Sequence, residues 1–129
     1  MPARVLVIED DPVNQEVVSA FLEGEGCRIL TADTAEEGLR LATAQRPGLI
    51  FMDGQLPGMT GYEATRRLKA DPATATIPTV AFTAQAMRGE EERAAAAGCD
   101  AYITKPLDAE VFRQTLRRFL LRREAPAGL

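Results

Sequence analysis

Five short β-rich runs, each followed by a stretch of helical periodicity, limit this chain to very few folds. The runs are Val5–Glu9, Arg28–Ala32, Leu49–Asp53, Thr79–Phe82 and Ala101–Thr104. Strict alternation of strand and helix implies parallel neighbours joined by right-handed crossovers. The first and third runs are almost continuously apolar, Val5-Leu-Val-Ile8 and Leu49-Ile-Phe-Met52, as central strands covered by helices on both faces require. Arg28-Ile-Leu-Thr-Ala32 is weaker and suits an edge.

The intervening segments carry their own signals. Val13, Val17, Val18, Phe21 and Leu22 fall on one helical face, as do Phe112, Leu116, Phe119 and Leu120, so both helices are expected to pack on the sheet. Asp11 can cap a helix that starts at Pro12, and Thr34 with Glu37 and Thr60 with Glu63 fit capping boxes. Five βα units predict an α/β fold, a doubly wound five-stranded parallel sheet with five helices in the flavodoxin-like order 2-1-3-4-5. With 129 residues and no repeat or Gly/Ser-rich linker, one core is expected. Residues 1–123 should form it, and residues 124–129 a short C-terminal tail.

Charge and composition exclude several function classes. Nineteen acidic against 15 basic residues give a net charge of -4 and a pI near 4.9, which argues against direct nucleic-acid binding. Arg113, Arg117, Arg118, Arg122 and Arg123 read as a solvated helix face with cations at the negative helix end rather than as a partner patch. The apolar run at Val5–Ile8 is too short for a signal sequence or a membrane span, so a soluble cytoplasmic protein is expected. Cys27 and Cys99 form no CxxC or Cys/His cluster and read as buried thiols in a reducing compartment.

In an open α/β sheet the ligand site lies beyond the carboxyl ends of the strands. Strand one ends in Glu9-Asp10-Asp11, strand three in Asp53, strand four in Thr83, and strand five in Lys105 followed by Pro106. The order 2-1-3-4-5 brings these ends together and leaves Asp33, after the edge strand, as an ordinary turn acid. Asp11 is read as a helix cap. Carboxylates at Glu9, Asp10 and Asp53 repel one another until raised pKa values or a cation relieve them. Two carboxylates, a backbone carbonyl such as that of Gln55, a phosphate oxygen and waters suit octahedral Mg²⁺. A carboxylate forms an acyl phosphate when a cation and fixed donors stabilise the incoming phosphoryl oxygens, and Thr83 and Lys105 are suitable donors. Taken singly, either would pass for an ordinary strand-end residue.

The segments Val7-Ile-Glu-Asp-Asp-Pro-Val-Asn14, Phe51-Met-Asp-Gly-Gln-Leu-Pro-Gly-Met-Thr-Gly61, Ala81-Phe-Thr-Ala84 and Tyr102-Ile-Thr-Lys-Pro106, in that order, resemble the receiver domains of bacterial two-component response regulators, the CheY-like fold. The resemblance spans essentially the whole chain. It implies that Asp53 is phosphorylated and that Mg²⁺ or Mn²⁺ is held by Glu9, Asp10, Asp53 and the Gln55 carbonyl. It further implies that Thr83 turns toward the phosphoryl group, that Lys105 pairs with it, that the Lys105–Pro106 peptide is cis, and that Tyr102 is the aromatic switch residue. The residue after the acceptor is often apolar in receivers, whereas Gly54 offers little steric cover. Glu9 to Pro12 and Ala84 to Glu91 look like receivers of hybrid histidine kinases and single-domain cell-cycle regulators of the DivK type.

By this reading the chain is a phosphoacceptor in a phosphorelay and not an enzyme beyond slow autophosphorylation and autodephosphorylation. Its partners would be a histidine kinase or histidine phosphotransferase and a downstream protein, with a phosphorylation-dependent homodimer as one form of output. Two variants of the reading are a receiver excised from a hybrid histidine kinase and a phosphorylation-independent binding module. A haloacid-dehalogenase phosphatase would need a second acid two residues after its nucleophile, where this chain has Gln55. A flavin-binding flavodoxin relative would want a hydroxyl-rich loop after strand one, where three acids stand.

Overall fold

A computed structural model of the protein describes residues 3–83, 89–105 and 107–121. The strands are β1 (Arg4–Ile8), β2 (Arg28–Ala32), β3 (Leu49–Asp53), β4 (Thr79–Thr83) and β5 (Ala101–Thr104), and the helices α1 (Pro12–Gly24), α2 (Ala35–Gln45), α3 (Gly61–Ala70), α4 (Glu90–Ala97) and α5 (Ala109–Leu116). The sheet is parallel throughout, in the order β2-β1-β3-β4-β5. The expected topology and edge strand are therefore observed. Pro106, residues 84–88 and the expected tail at 124–129 lie outside the described residues.

Because successive strand residues point to opposite faces, the apolar strands feed two cores. Val5, Val7, Leu49, Phe51, Val80 and Phe82 face α1 and α5, where they meet Val18, Leu22, Phe112 and Leu116. Leu6, Ile8, Ile50 and Met52 face the other way, onto Ala35 and Ala42 of α2 and Ala64 and Leu68 of α3. A smaller cluster of Tyr62, Ala81, Ala94 and Ala97 seats α4. A π-helical turn at Arg117–Leu121 continues α5 and keeps Leu120 buried.

The expected apolar face of α1 packs only in part. Val18 and Leu22 are buried, but Val13 is 65% and Val17 is 43% exposed. At 3.6 residues per turn, Val13 lies roughly 140° around the helix from Val18, on the flank of the stripe. Both cysteines are thiols, half-buried rather than fully buried. The Cys99 thiol points to Thr65 Oγ1 at 3.8 Å, and burial pushes its pKa up.

Helix starts follow the capping logic. Asp11 Oδ1 accepts from Val13 N at 2.9 Å, Thr34 Oγ1 from Glu37 N at 3.1 Å and Thr60 Oγ1 from Glu63 N at 3.1 Å. The acids of the two boxes turn instead to arginines, Glu37 to Arg40 and Glu63 to Arg66 and Arg67. Asp108 caps α5 as well. Thr60→Ala is expected to lower stability by about 1 kcal/mol, read as a shifted urea midpoint at unchanged slope. Among the described residues no helix is long and apolar enough to cross a membrane.

Candidate functional site

The strand order sets β1, β3, β4 and β5 side by side, so the residues closing those strands meet in one cleft. Glu9, directly after β1, is fully buried, Asp53 ends β3 at 4% exposure, and Thr83 ends β4 fully buried. Asp10 is exposed at the rim. Carboxylate oxygens of Glu9, Asp10 and Asp53 all lie within 4.8 Å of one another. Lys105 arrives from the end of β5, its Nζ 2.7 Å from Glu9 Oε1 and 3.7 Å from Asp53 Oδ2. That ammonium also rests 4.8 Å from the centre of the Phe82 ring, a favourable seat for a cation.

Backbone donors complete the setting. Gln55 N donates to Asp53 Oδ1 at 2.9 Å, and Asp11 N to Glu9 Oε2 at 3.3 Å. Lys105 N donates to the Thr83 carbonyl at 2.8 Å, which ties the lysine and the threonine to one piece of backbone. Burial and the neighbouring Asp53 carboxyl hold the Glu9 carboxyl above its usual range, while Lys105 pulls the other way. Among the described residues, three clustered acids face one ammonium, an excess of negative charge that a small divalent cation would neutralise.

The described residues singled out from the sequence fall into three groups. Glu9, Asp10, Asp53 and Lys105 converge, with Thr83 and Gln55 beside them. Asp11 caps α1, and Asp33 accepts from Gln15 Nε2 at 3.1 Å outside the cluster, both as expected. Tyr102 stands apart from the acids on β5, half-buried against the Tyr62, Ala81, Ala94 and Ala97 cluster. The Lys105–Pro106 peptide lies outside the described residues.

Sequence reasoning missed two neighbours of the site. Gly61 opens α3 so close to Asp53 that a Cβ there would lie 2.0 Å from the Asp53 carbonyl oxygen. Tyr62, next in line, is buried, and its hydroxyl donates to the buried Glu90 carboxylate of α4. A glycine at the first position of a predicted helix, where it weakens the helix, was the one available signal for the first. Nothing local marked the second.

An acidic cleft with one paired lysine, at the carboxyl edge of a 2-1-3-4-5 sheet, defines a receiver. Residues 5–117 match the response regulator receiver domain family, and the chain belongs to it and thereby to two-component signalling. Within that family it is similar to the polar-differentiation response regulator DivK of Brucella anthropi, 40% identical over 120 residues that cover 93% of this chain and 98% of the relative. Among solved structures, the receiver domain of a sensor histidine kinase from Pseudomonas aeruginosa PAO1, which has a magnesium ion coordinated in its active-site cleft, is 34% identical. It covers 92% of this chain and 98% of its own, with a TM-score of 0.86. The Vibrio cholerae chemotaxis protein CheY4 matches at 27% identity and a TM-score of 0.86, covering 93% and 100%.

Proposed function

We propose that Asp53 is the phosphoacceptor and that this chain relays the phosphoryl group's presence to another protein by changing shape. The observation that carries the reading is the placement of the Asp53 carboxylate among Glu9, Asp10 and Lys105, with Lys105 Nζ only 3.7 Å from Asp53 Oδ2. In the transfer, an Asp53 oxygen bonds to phosphorus as the bond from phosphorus to the donor's histidine nitrogen or acyl oxygen breaks, and the donor keeps that electron pair. Lys105 is already placed to shift from the acids onto a new phosphoryl oxygen.

Glu9, Asp10, Asp53 and the Gln55 carbonyl would hold Mg²⁺ or Mn²⁺. When bound, the ion neutralises charge on the transferred group. Thr83 and Tyr102 are the switch residues: Thr83 turns toward the phosphoryl group and Tyr102 follows inward. Each would bias an equilibrium between two surfaces that a partner distinguishes. The donor is a histidine kinase or histidine phosphotransferase and the reader a downstream protein. Likeness to a sensor-kinase receiver and to DivK supports that class of partner.

The test is intact mass after incubation with acetyl phosphate and Mg²⁺, repeated with Asp53→Asn and with chelator. One added phosphoryl group that needs both Asp53 and the metal is the expected result. A folded chain that, with Mg²⁺, neither gains a phosphoryl group nor speeds the hydrolysis of acetyl phosphate would refute the phosphoacceptor role.

A further inference from the structure

Position 54, immediately after the acceptor, lacks a side chain for want of space. Gly54 is not among the glycines with positive φ, which are Gly26, Gly58, Gly89 and Gly98, so its backbone makes no demand for glycine. A Cβ built there would instead lie 2.8 Å from the Tyr62 hydroxyl oxygen and 3.0 Å from Cζ. The phenol end of Tyr62 thus occupies the volume that a residue 54 side chain would take. Gly54 itself offers little steric cover, and the ring end of Tyr62 stands where its side chain would be.

Tyr62 is held in that place from another helix. Its hydroxyl donates to Glu90 Oε2, on the first turn of α4. Glu90 Oε1 in turn receives Arg93 NH1 at 3.2 Å, and the Arg93 guanidinium lies 5.3 Å from the centre of the Tyr62 ring. Burial and the Glu90 carboxylate both push the Tyr62 hydroxyl's pKa up, so it stays a donor at any ordinary pH. Simple packing of α3 on α4 would need only an apolar side chain here, whereas a buried carboxylate is costly unless its partners are held in place. Tyr62 is the second residue of α3 and Glu90 the first of α4, so the tie joins the starts of those two helices.

We propose that Tyr62 is a positioning residue for phosphoryl chemistry at Asp53, covering the Gly54 backbone in place of a side chain and held there by Glu90, so that the acyl phosphate's lifetime is controlled from α4. This rests on Asp53 being the acceptor. In the hydrolysis that ends the signal, a water oxygen bonds to phosphorus and the bond from phosphorus to the Asp53 oxygen breaks. The carboxylate takes the electron pair, the water's proton passes to solvent, and inorganic phosphate leaves. Tyr62 limits how freely water reaches that bond.

The full chain is phosphorylated with acetyl phosphate and Mg²⁺, the donor is removed, and decay is followed by intact mass. Tyr62→Leu should lose the group about tenfold faster, and Tyr62→Phe and Glu90→Gln several-fold faster. Leucine at position 54 in the Tyr62→Leu background should refill the space and return the lifetime to within about twofold of the parent, a rescue that a purely structural role would not produce. Gly54→Leu alone should expel the phenol and, with leucine supplying the cover, keep the lifetime within about twofold of the parent. Parental lifetimes in Tyr62→Phe and Glu90→Gln, both checked for folding by thermal melts, would overturn the proposal, as would a double variant that decays as fast as Tyr62→Leu. A parent that takes no phosphoryl group removes the acceptor reading itself and this inference with it, whereas a phosphorylated parent with unchanged variants removes only the role of Tyr62.

Discussion

Lys105→Met is expected to destabilise the metal-free protein by roughly 3 kcal/mol at pH 8, because it leaves the Glu9 carboxylate buried without its cation. Glu9 is fully buried, and Lys105 Nζ at 2.7 Å is its nearest positive charge among the described residues. The loss should shrink toward pH 5. Glu9 already has its pKa raised above the ordinary 4.5, and Lys105 is among the groups that restrain that rise. A raised carboxyl favours the folded state below its ordinary pKa, and that contribution is lost as pH rises through the folded value. Removing Lys105 lifts the folded value further, so the penalty is small while Glu9 is protonated and grows as it ionises. Urea unfolding in chelator at both pH values measures this, and Glu9→Gln in the same background should restore most of the stability. An equal loss at pH 5 and pH 8 would move the cause away from Glu9. With Mg²⁺ present, phosphoryl uptake by Lys105→Met should fall about 100-fold, since the donor aimed at the incoming oxygens is gone.

Gly61→Ala should be as damaging for a different reason. The added Cβ would lie 2.0 Å from the Asp53 carbonyl oxygen and 2.9 Å from its carbon, and backbone cannot rotate away as a side chain can. Alanine improves helix propensity by about 1 kcal/mol, which does not offset an overpacking strain of about 3 kcal/mol or more against β3. Gly38→Ala supplies the control. Its Cβ would meet Ile8 Cδ1 at 2.3 Å, but that is the flexible end of a side chain, so a cost nearer 1 kcal/mol is expected. Thermal melts separate the two, and any Gly61→Ala protein that folds should be slowed in phosphorylation, because the relief must come from moving the acceptor's own backbone.

Much of this was legible from the order of residues because each part rests on a local rule. Continuous apolarity marked β1 and β3 as central, weaker Arg28–Ala32 marked the edge, and the topology foretold which strand-end residues converge in one cleft. Val13 and Val17 misled because periodicity reports that a stripe exists and not how much of it the sheet can cover. Asp108 was passed over as a cap because no acid stands three residues later to complete a box. Tyr62 and Glu90 were invisible for a deeper reason: 28 residues apart, they meet only because α3 and α4 pack as neighbours, and no spacing encodes that. Gly54 was read as offering little steric cover, and the ring that stands over it comes from α3, eight residues on.

The pairing of Lys105 with Glu9 joins residues 96 apart in sequence, spanning the first strand and the end of the fifth. The acids at residues 9, 10 and 53 are all encoded by the end of β3, yet Lys105 follows only after β5. A chain that stops at α4 therefore carries all three acids without the lysine that pairs with Glu9. The full charge arrangement of the cleft thus needs the last strand to have emerged, and a half-made copy does not hold it.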